Sequence, residues 1–180
     1  MIQTIDTQYD KLPKKVFFCK NCVVSNQRPR ITFNSKGICS ACQWALEKDS
    51  IVDWNKREIE LKKLCDKYRS RNGSFDVVVP GSAGKDSGYV SHQLKHIYNM
   101  NPLCVTWAPF GYTKIGRENL DRFISSGFTN ILCSPAENFH KKLSRLCFEL
   151  LGDMWQPFGY GQQTWAFQLA LKFNIKLIMY

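Results

Sequence analysis

The chain has 180 residues, 44% of them hydrophobic, and a formal net charge of +10 at pH 7. That is long enough for a core domain with a small satellite, and two unequal units fit best. The sequence has no apolar run of eighteen residues, and MIQTIDTQYDKLPKK lacks a secretory leader pattern, so the chain reads as soluble and cytoplasmic, with no membrane insertion expected.

Residues 1–48 are rich in cysteine and turn residues and have little helical period. CKNC (Cys19, Cys22) and CSAC (Cys39, Cys42) are two CxxC pairs sixteen residues apart. Each two-residue gap lets both thiolates grip one ion from a tight turn, and two such pairs complete a tetrahedral S4 shell, so the segment reads as a zinc ribbon. Four protein ligands leave no open position, which makes the metal structural; an iron–sulfur cluster or a redox dithiol are the alternatives. Residues 1–73 hold 15 Lys/Arg against 8 Asp/Glu, so most of the positive charge lies there. Phe17, Phe18, Phe33 and Trp44 interleave with Lys20, Arg28, Arg30 and Lys36. That pattern suits either nucleic-acid stacking or a small unit using its aromatics as its own core.

Residues 49–73 read as a linking helix. Asp53 caps its start, Leu61, Leu64, Cys65 and Tyr68 recur at helical spacing, and Asn72 and Gly73 supply the stop. Residues 74–180 alternate strand and helix patterns. Strands are expected at Phe75–Pro80, Leu103–Trp107, Asn130–Cys133 and Ile175–Tyr180. Helices are expected over Ser87–Asn99 and Gly116–Ser126, and along the stripes Phe139/Leu143/Leu146/Cys147/Leu150 and Trp165/Ala166/Leu169/Ala170/Phe173. Buried strands separated by helices of this length predict an α/β fold, a doubly wound parallel sheet with right-handed crossovers, whose site lies at the strand C-terminal ends. Cys65, Cys104, Cys133 and Cys147 read as buried thiols. His92 and His96 are four apart, but Gln93 stands where a zinc protease needs glutamate, so they read as ordinary surface or packing residues. His140 carries no signal.

The stretch VVVPGSAGKDSGYV joins the first strand to the first of these helices. Gly81, Ser82, Ala83 and Gly84 keep side chains small enough for backbone N–H groups to approach an anion, at which the next helix points its positive end. The loop is not a Walker loop: Gly81 and Gly84 are two residues too close, and Asp86 follows Lys85 where serine or threonine is required. An aspartate facing phosphates repels them unless a cation intervenes, so Asp86 implies Mg²⁺. Lys85, that ion and the hydroxyls of Ser82 and Ser87 would then neutralise a departing pyrophosphate.

SAGKDS resembles the SGGxDS loop of the PP-loop ATP pyrophosphatases. Together with the CxxC pairs, RPRITF, DWNKRE, VTWAP, IGRENL, GDMWQPFGYG and IKLIMY, it is similar to the N-acetyl sugar amidotransferases of bacterial surface-polysaccharide and lipopolysaccharide synthesis. The resemblance covers nearly the whole chain. It implies that ATP activates the acetamido oxygen of a nucleotide sugar as its adenylate and that ammonia displaces AMP to leave an acetamidino group. It further implies ammonia from a HisH-like glutaminase through a HisF-like partner. By position, Ser82, Gly84, Lys85, Asp86 and Ser87 would hold pyrophosphate and Mg²⁺, with Lys85 and Asp86 catalytic, while Val105 to Trp107 would face adenine. Ala83 replaces the second glycine of the pattern; at positive φ its Cβ would cost about 1–2 kcal/mol. The chain also stops inside the family pattern, which implies a C-terminally incomplete domain. Two alternatives are a tRNA-thiolating PP-loop enzyme, the reading that would bring a nucleic-acid partner, and a nonenzymatic zinc-ribbon adaptor with a degenerate loop.

Overall fold

The structure, a computed structural model, describes residues 12–180, and the chain divides into two units at residues 1–58 and 59–180. Residues 1–11, the opening of the expected ribbon, lie outside the described residues. In the first unit each CxxC pair sits beside a tight antiparallel bridge, Phe18 with Ser25 and Phe33 with Cys39. Lys20 N–H donates to the Gly37 carbonyl at 3.1 Å and ties the two turns together.

A helix the periodicity did not suggest follows the second pair, α1 (Ser40–Ile51). It buries no residue and carries no apolar stripe, so the spacing of its side chains held no signal. Cys39 starts it, its sulfur accepting from Cys42 N–H. The expected linking helix is therefore a separate element, α2 (Trp54–Tyr68), started by Asp53, whose Oδ1 accepts from Lys56 N–H at 2.9 Å. The unit boundary falls within α2.

The second unit is built on Val77, Val78 and Val79, all essentially inaccessible to solvent. Strand β1 (Val77–Pro80) pairs in parallel with β2 (Pro102–Trp107), and β2 in parallel with β3 (Thr129–Cys133). Alternation along the strands sends Val77, Val79 and Cys104 to one face, against Cys65, Leu94, Met100 and Phe128. Val78, Leu103 and Val105 go to the other, against Ala166, Leu169, Ala170 and Ile175. Apolar side chains thus cover both faces, as the continuous valine run requires.

The closing strand expected at Ile175–Tyr180 is reduced to a single parallel bridge between Val78 and Ile178. Val78 N–H donates to Leu177 O at 2.9 Å, and Met179 N–H to Val78 O at 3.0 Å. The next bond along that edge would need an N–H from Pro80, which has none. The segment nevertheless lies on the edge of β1 opposite β2.

The helix expected over Ser87–Asn99 is α3 (Lys85–His92) continued by a π-helical turn, Gln93–Ile97. The widened turn, closed by Tyr98 N–H on Gln93 O at 3.0 Å, brings Leu94 and Met100 into the same core face. Helix α4 (Lys114–Ser125) lies between β2 and β3, capped by the Thr113 hydroxyl. Helix α5 (Glu137–Leu151) corrects a second expectation: Phe139, Leu146 and Leu150 of the apolar stripe are exposed, and the fully buried side chains are His140 and Ser144. Helix α6 (Gln156–Lys172) buries Ala166, Leu169 and Ala170 as expected. Cys65 and Cys104 are buried thiols, whereas Cys133 and Cys147 are only half-buried.

Candidate nucleotide site and four-cysteine centre

The ligand atoms of Cys19, Cys22, Cys39 and Cys42 lie within 4.8 Å of one another. A tetrahedral zinc with Zn–S bonds of about 2.3 Å has sulfurs roughly 3.8 Å apart, and Cys22 Sγ and Cys39 Sγ are 3.7 Å apart. The set could hold zinc. Burial pushes the Cys19 thiol up, but the backbone N–H groups of Cys39 (3.2 Å) and Asn21 (3.4 Å) donate to its sulfur, and with that of Cys22 they bring it down to about 6. Cys22 is pushed up to about 12: the Val24 backbone acts to lower it but is outweighed by the neighbouring thiols, Cys42 foremost, and by burial. Several thiolates in one small shell need a cation to coexist. The aromatics of this unit do not form a core, for Phe17, Phe18 and Trp44 are exposed and Phe33 packs edge-on to Phe17 at 4.9 Å.

In the second unit the glycine loop leaves the C-terminal end of β1. Gly81 extends the ladder, its N–H donating to Val105 O at 2.9 Å. The Thr106 hydroxyl donates to Gly81 O at 2.6 Å and accepts from Asn130 Nδ2 at 2.9 Å. A polar chain from β3 through β2 therefore fixes where the loop begins. Gly84 caps α3 in an extended conformation open to any residue, with no side-chain capping bond. The first N–H groups of α3 thus lack the side-chain acceptor that usually satisfies them, a free anion-binding end.

Ala83 has φ +61°, in the left-handed region that favours glycine. Local strain of this sort collects at ligand-binding loops. Ala83→Gly is expected to stabilise the second unit by about 0.5–1 kcal/mol, relief of the Cβ strain exceeding the greater freedom glycine gives the unfolded chain. A midpoint of denaturant unfolding that stays put or falls would contradict the strain.

A cavity of about 370 Å³ opens beside the loop, within the range of small-molecule sites. Of the expected residues, Ser82, Val105 and Trp107 line it. Gly84, Lys85, Asp86 and Ser87 sit at the start of α3, outside its lining. Lys85 Nζ and Asp86 Oδ1 are 2.6 Å apart and both side chains are exposed, so the pair contributes little to stability and opens at little cost. Mg²⁺ is held by one or two carboxylates together with substrate phosphates, so Asp86, once parted from Lys85, with the Ser82 and Ser87 hydroxyls is a candidate donor set.

The sequence reading missed the cavity's far wall, which includes Tyr112, Phe158, Gln162 and Trp165. It also missed Gly161, where a Cβ would come within 2.1 Å of the Trp107 ring. The GYG in GDMWQPFGYG was a usable signal, because a glycine inside a helix often marks close approach by another group. His140 was set aside, yet its ring stacks on Phe110 with centroids 4.6 Å apart. His92 and His96 form an exposed ring pair at 4.7 Å, as an ordinary surface reading expects. Among the described residues no helix is long and apolar enough to cross a membrane.

No family model matches the chain. It is similar to an uncharacterized protein of Methanocaldococcus jannaschii, 30% identical over 88 residues, which are 48% of this chain and 31% of that protein. The match thus spans less than a third of that protein's length.

Proposed function

We propose that the chain is an ATP-dependent amidotransferase of the PP-loop type, acting on the N-acetyl group of a nucleotide sugar in bacterial surface-polysaccharide synthesis. The observation that carries the reading is the glycine loop's position. It follows a buried parallel strand, opens a helix with an uncapped N-terminus, and borders a cavity at the C-terminal edge of the sheet. Spatial order supports it too: β1, β2 and β3 run outward in one direction while residues 177–179 join the other edge of β1. The order therefore reverses beside β1, where doubly wound sheets bind nucleotides.

In this mechanism the acetamido oxygen attacks the α-phosphorus of ATP as the bond to pyrophosphate breaks. Ammonia then adds to the activated carbon, AMP departs, and one proton is released to leave the acetamidino group. Lys85 and the N–H groups opening α3 stabilise the charge on pyrophosphate as it leaves. Asp86, Ser82 and Ser87 hold Mg²⁺, which supplies further neutralisation when bound. Trp107 and Val105 give the adenine an apolar wall. Ammonia comes from a HisH-like glutaminase by way of a HisF-like partner in the cytoplasm.

The test is release of AMP and pyrophosphate from ATP with UDP-N-acetyl sugars and an ammonia source. Asp86→Ala is expected to lower it at least about a hundredfold, since transition-state charge stabilisation at such sites carries that magnitude. Absence of ATP binding with Mg²⁺ would overturn the reading. A second reading, RNA modification, is favoured by the exposed Phe18 and Trp44 among six exposed cations, Lys14, Lys15, Lys20, Arg28, Arg30 and Lys36, in a stretch, residues 12–46, without Asp or Glu. It predicts RNA retention that falls steeply with salt.

A further inference from the structure

Helix α5 presents an apolar stripe that the second unit does not bury. Phe139, Leu143, Leu146 and Leu150 are four, three and four residues apart, the spacing that holds one seam of a helix toward a neighbouring helix. Phe139, Leu146 and Leu150 are 68%, 49% and 56% exposed, and Leu143 is half-buried. The fold buries α5 through His140 and Ser144 instead, which at about 3.6 residues per turn lie roughly a third of a turn around the helix from the seam. The helix thus has its intramolecular contact already, and the seam stands open beside it. Contiguous exposed apolar side chains of this kind mark a surface that another molecule covers.

The charges beside the seam select the occupant. Lys142 and Glu149, both exposed, flank it on the side away from His140, and Cys147 lies on the other side. A second α5 laid antiparallel across the seam aligns Leu143 with Leu146, and Phe139 with Leu150, of the other copy. The same register sets Lys142 of each copy against Glu149 of the other, and twofold symmetry makes that pair occur twice. A parallel copy would set Lys142 against Cys147 and form no such pair. Glu149 Oε1 accepts from Arg145 Nε at 2.7 Å, an exposed pair one turn apart that exchanges partners at little cost.

We propose that α5 is a self-association surface, on which a second copy of this chain packs its own α5 antiparallel about a twofold axis. Phe139, Leu143, Leu146 and Leu150 form the apolar contact, and Lys142 with Glu149 sets its direction and register. The proposal stands apart from the adenylating reading. The seam is only about 17 Å long, well short of a standard interface, so the association is weak and reversible.

The experiment is sedimentation of the full chain from the micromolar to the submillimolar range, where a monomer–dimer equilibrium is expected. Leu146→Asp places a charge from each copy in the seam and is expected to weaken the dimer at least about a hundredfold. Phe148→Asp, at a residue 60% exposed but turned away from the seam, is expected to change it less than about twofold. Lys142→Glu and Glu149→Lys each make both cross-pairs repulsive and are expected to raise the dissociation constant about tenfold, while the double variant restores attraction and returns it to within about threefold of the parent. All four side chains are exposed, so the fold is retained. A parent that stays monomeric shows that the seam has an occupant other than a second copy and overturns the proposal, as does a dimer indifferent to Leu146→Asp. A double variant no tighter than the single ones overturns the antiparallel packing.

Discussion

Cys39→Ser is expected to abolish stoichiometric metal binding and to unfold the first unit. Among the described residues of that unit the buried side chains are Cys19 and Cys39 alone, so the interior they form is the four-cysteine cluster itself. A unit with so little apolar burial cannot offset its own ordering entropy. Structural zinc contributes on the order of 10 kcal/mol in comparably small units, far more than their other contacts supply. Cys39 has several roles at once. Its sulfur caps α1 at 3.4 Å from Cys42 N–H, and its own N–H donates to Cys19 Sγ at 3.2 Å. A serine oxygen can keep the cap but is a harder and much poorer ligand in a thiolate shell.

Thiolate ligation also fixes the sign of the pH dependence. Zinc binds thiolates, so acid competes with the ion, and affinity falls as pH falls. Metal content by elemental analysis and amide exchange across residues 17–51 provide the check. One zinc per chain and slow exchange in the parent should give way to none and fast exchange in Cys39→Ser, in chelator, and on acidification. A variant that keeps dispersed, protected amides without metal would show that hydrogen bonds alone sustain the unit.

Legibility in the sequence followed the physical origin of each element. The valine run and the cysteine spacing were readable because continuous burial and tetrahedral coordination leave patterns in adjacent residues. Helix α1 was not, for it buries nothing. The stripe on α5 misled because Phe139, Leu146 and Leu150 are apolar yet exposed, while His140 and Ser144 occupy the buried face. Ile175–Tyr180 has a strand's composition, and the limit on its pairing lies a hundred residues away in Pro80. Of the residues lining the larger cavity, Ser82, Val105 and Trp107 are those the motif and the resemblance single out. Of their neighbours, Gln162 and Trp165 come from α6 and Tyr112 from the loop before α4, and nothing local in the sequence records that these segments converge on the glycine loop.

Gly81→Ala should be far more damaging than Gly88→Ala seven residues on, although both glycines belong to the same motif. A Cβ at Gly81 would lie 2.1 Å from Ser87 Cβ and 2.4 Å from its Oγ. Neither atom is the free end of a long side chain: Cβ is fixed by the backbone of α3, whose first turn is closed by Gly88 N–H on Gly84 O at 2.9 Å. The loop must therefore lift away from the helix. Lifting it breaks the bonds from Gly81 N–H to Val105 O and from the Thr106 hydroxyl to Gly81 O, both inside the sheet edge. Overpacking costs about 1–3 kcal/mol, and two broken bonds with buried groups left unpaired add a comparable amount. A loss of about 3 kcal/mol or more in the second unit is the expected result, together with loss of the ATP·Mg binding that the proposed function requires. Nothing lies within 4 Å of a Cβ at Gly88, inside α3, so alanine there should stabilise by about 0.5–1 kcal/mol through helix propensity. Denaturant unfolding of the two variants side by side separates a steric requirement from a general preference for glycine. Equal effects would show that Ser87 yields to the new methyl group and that the loop is not held against α3.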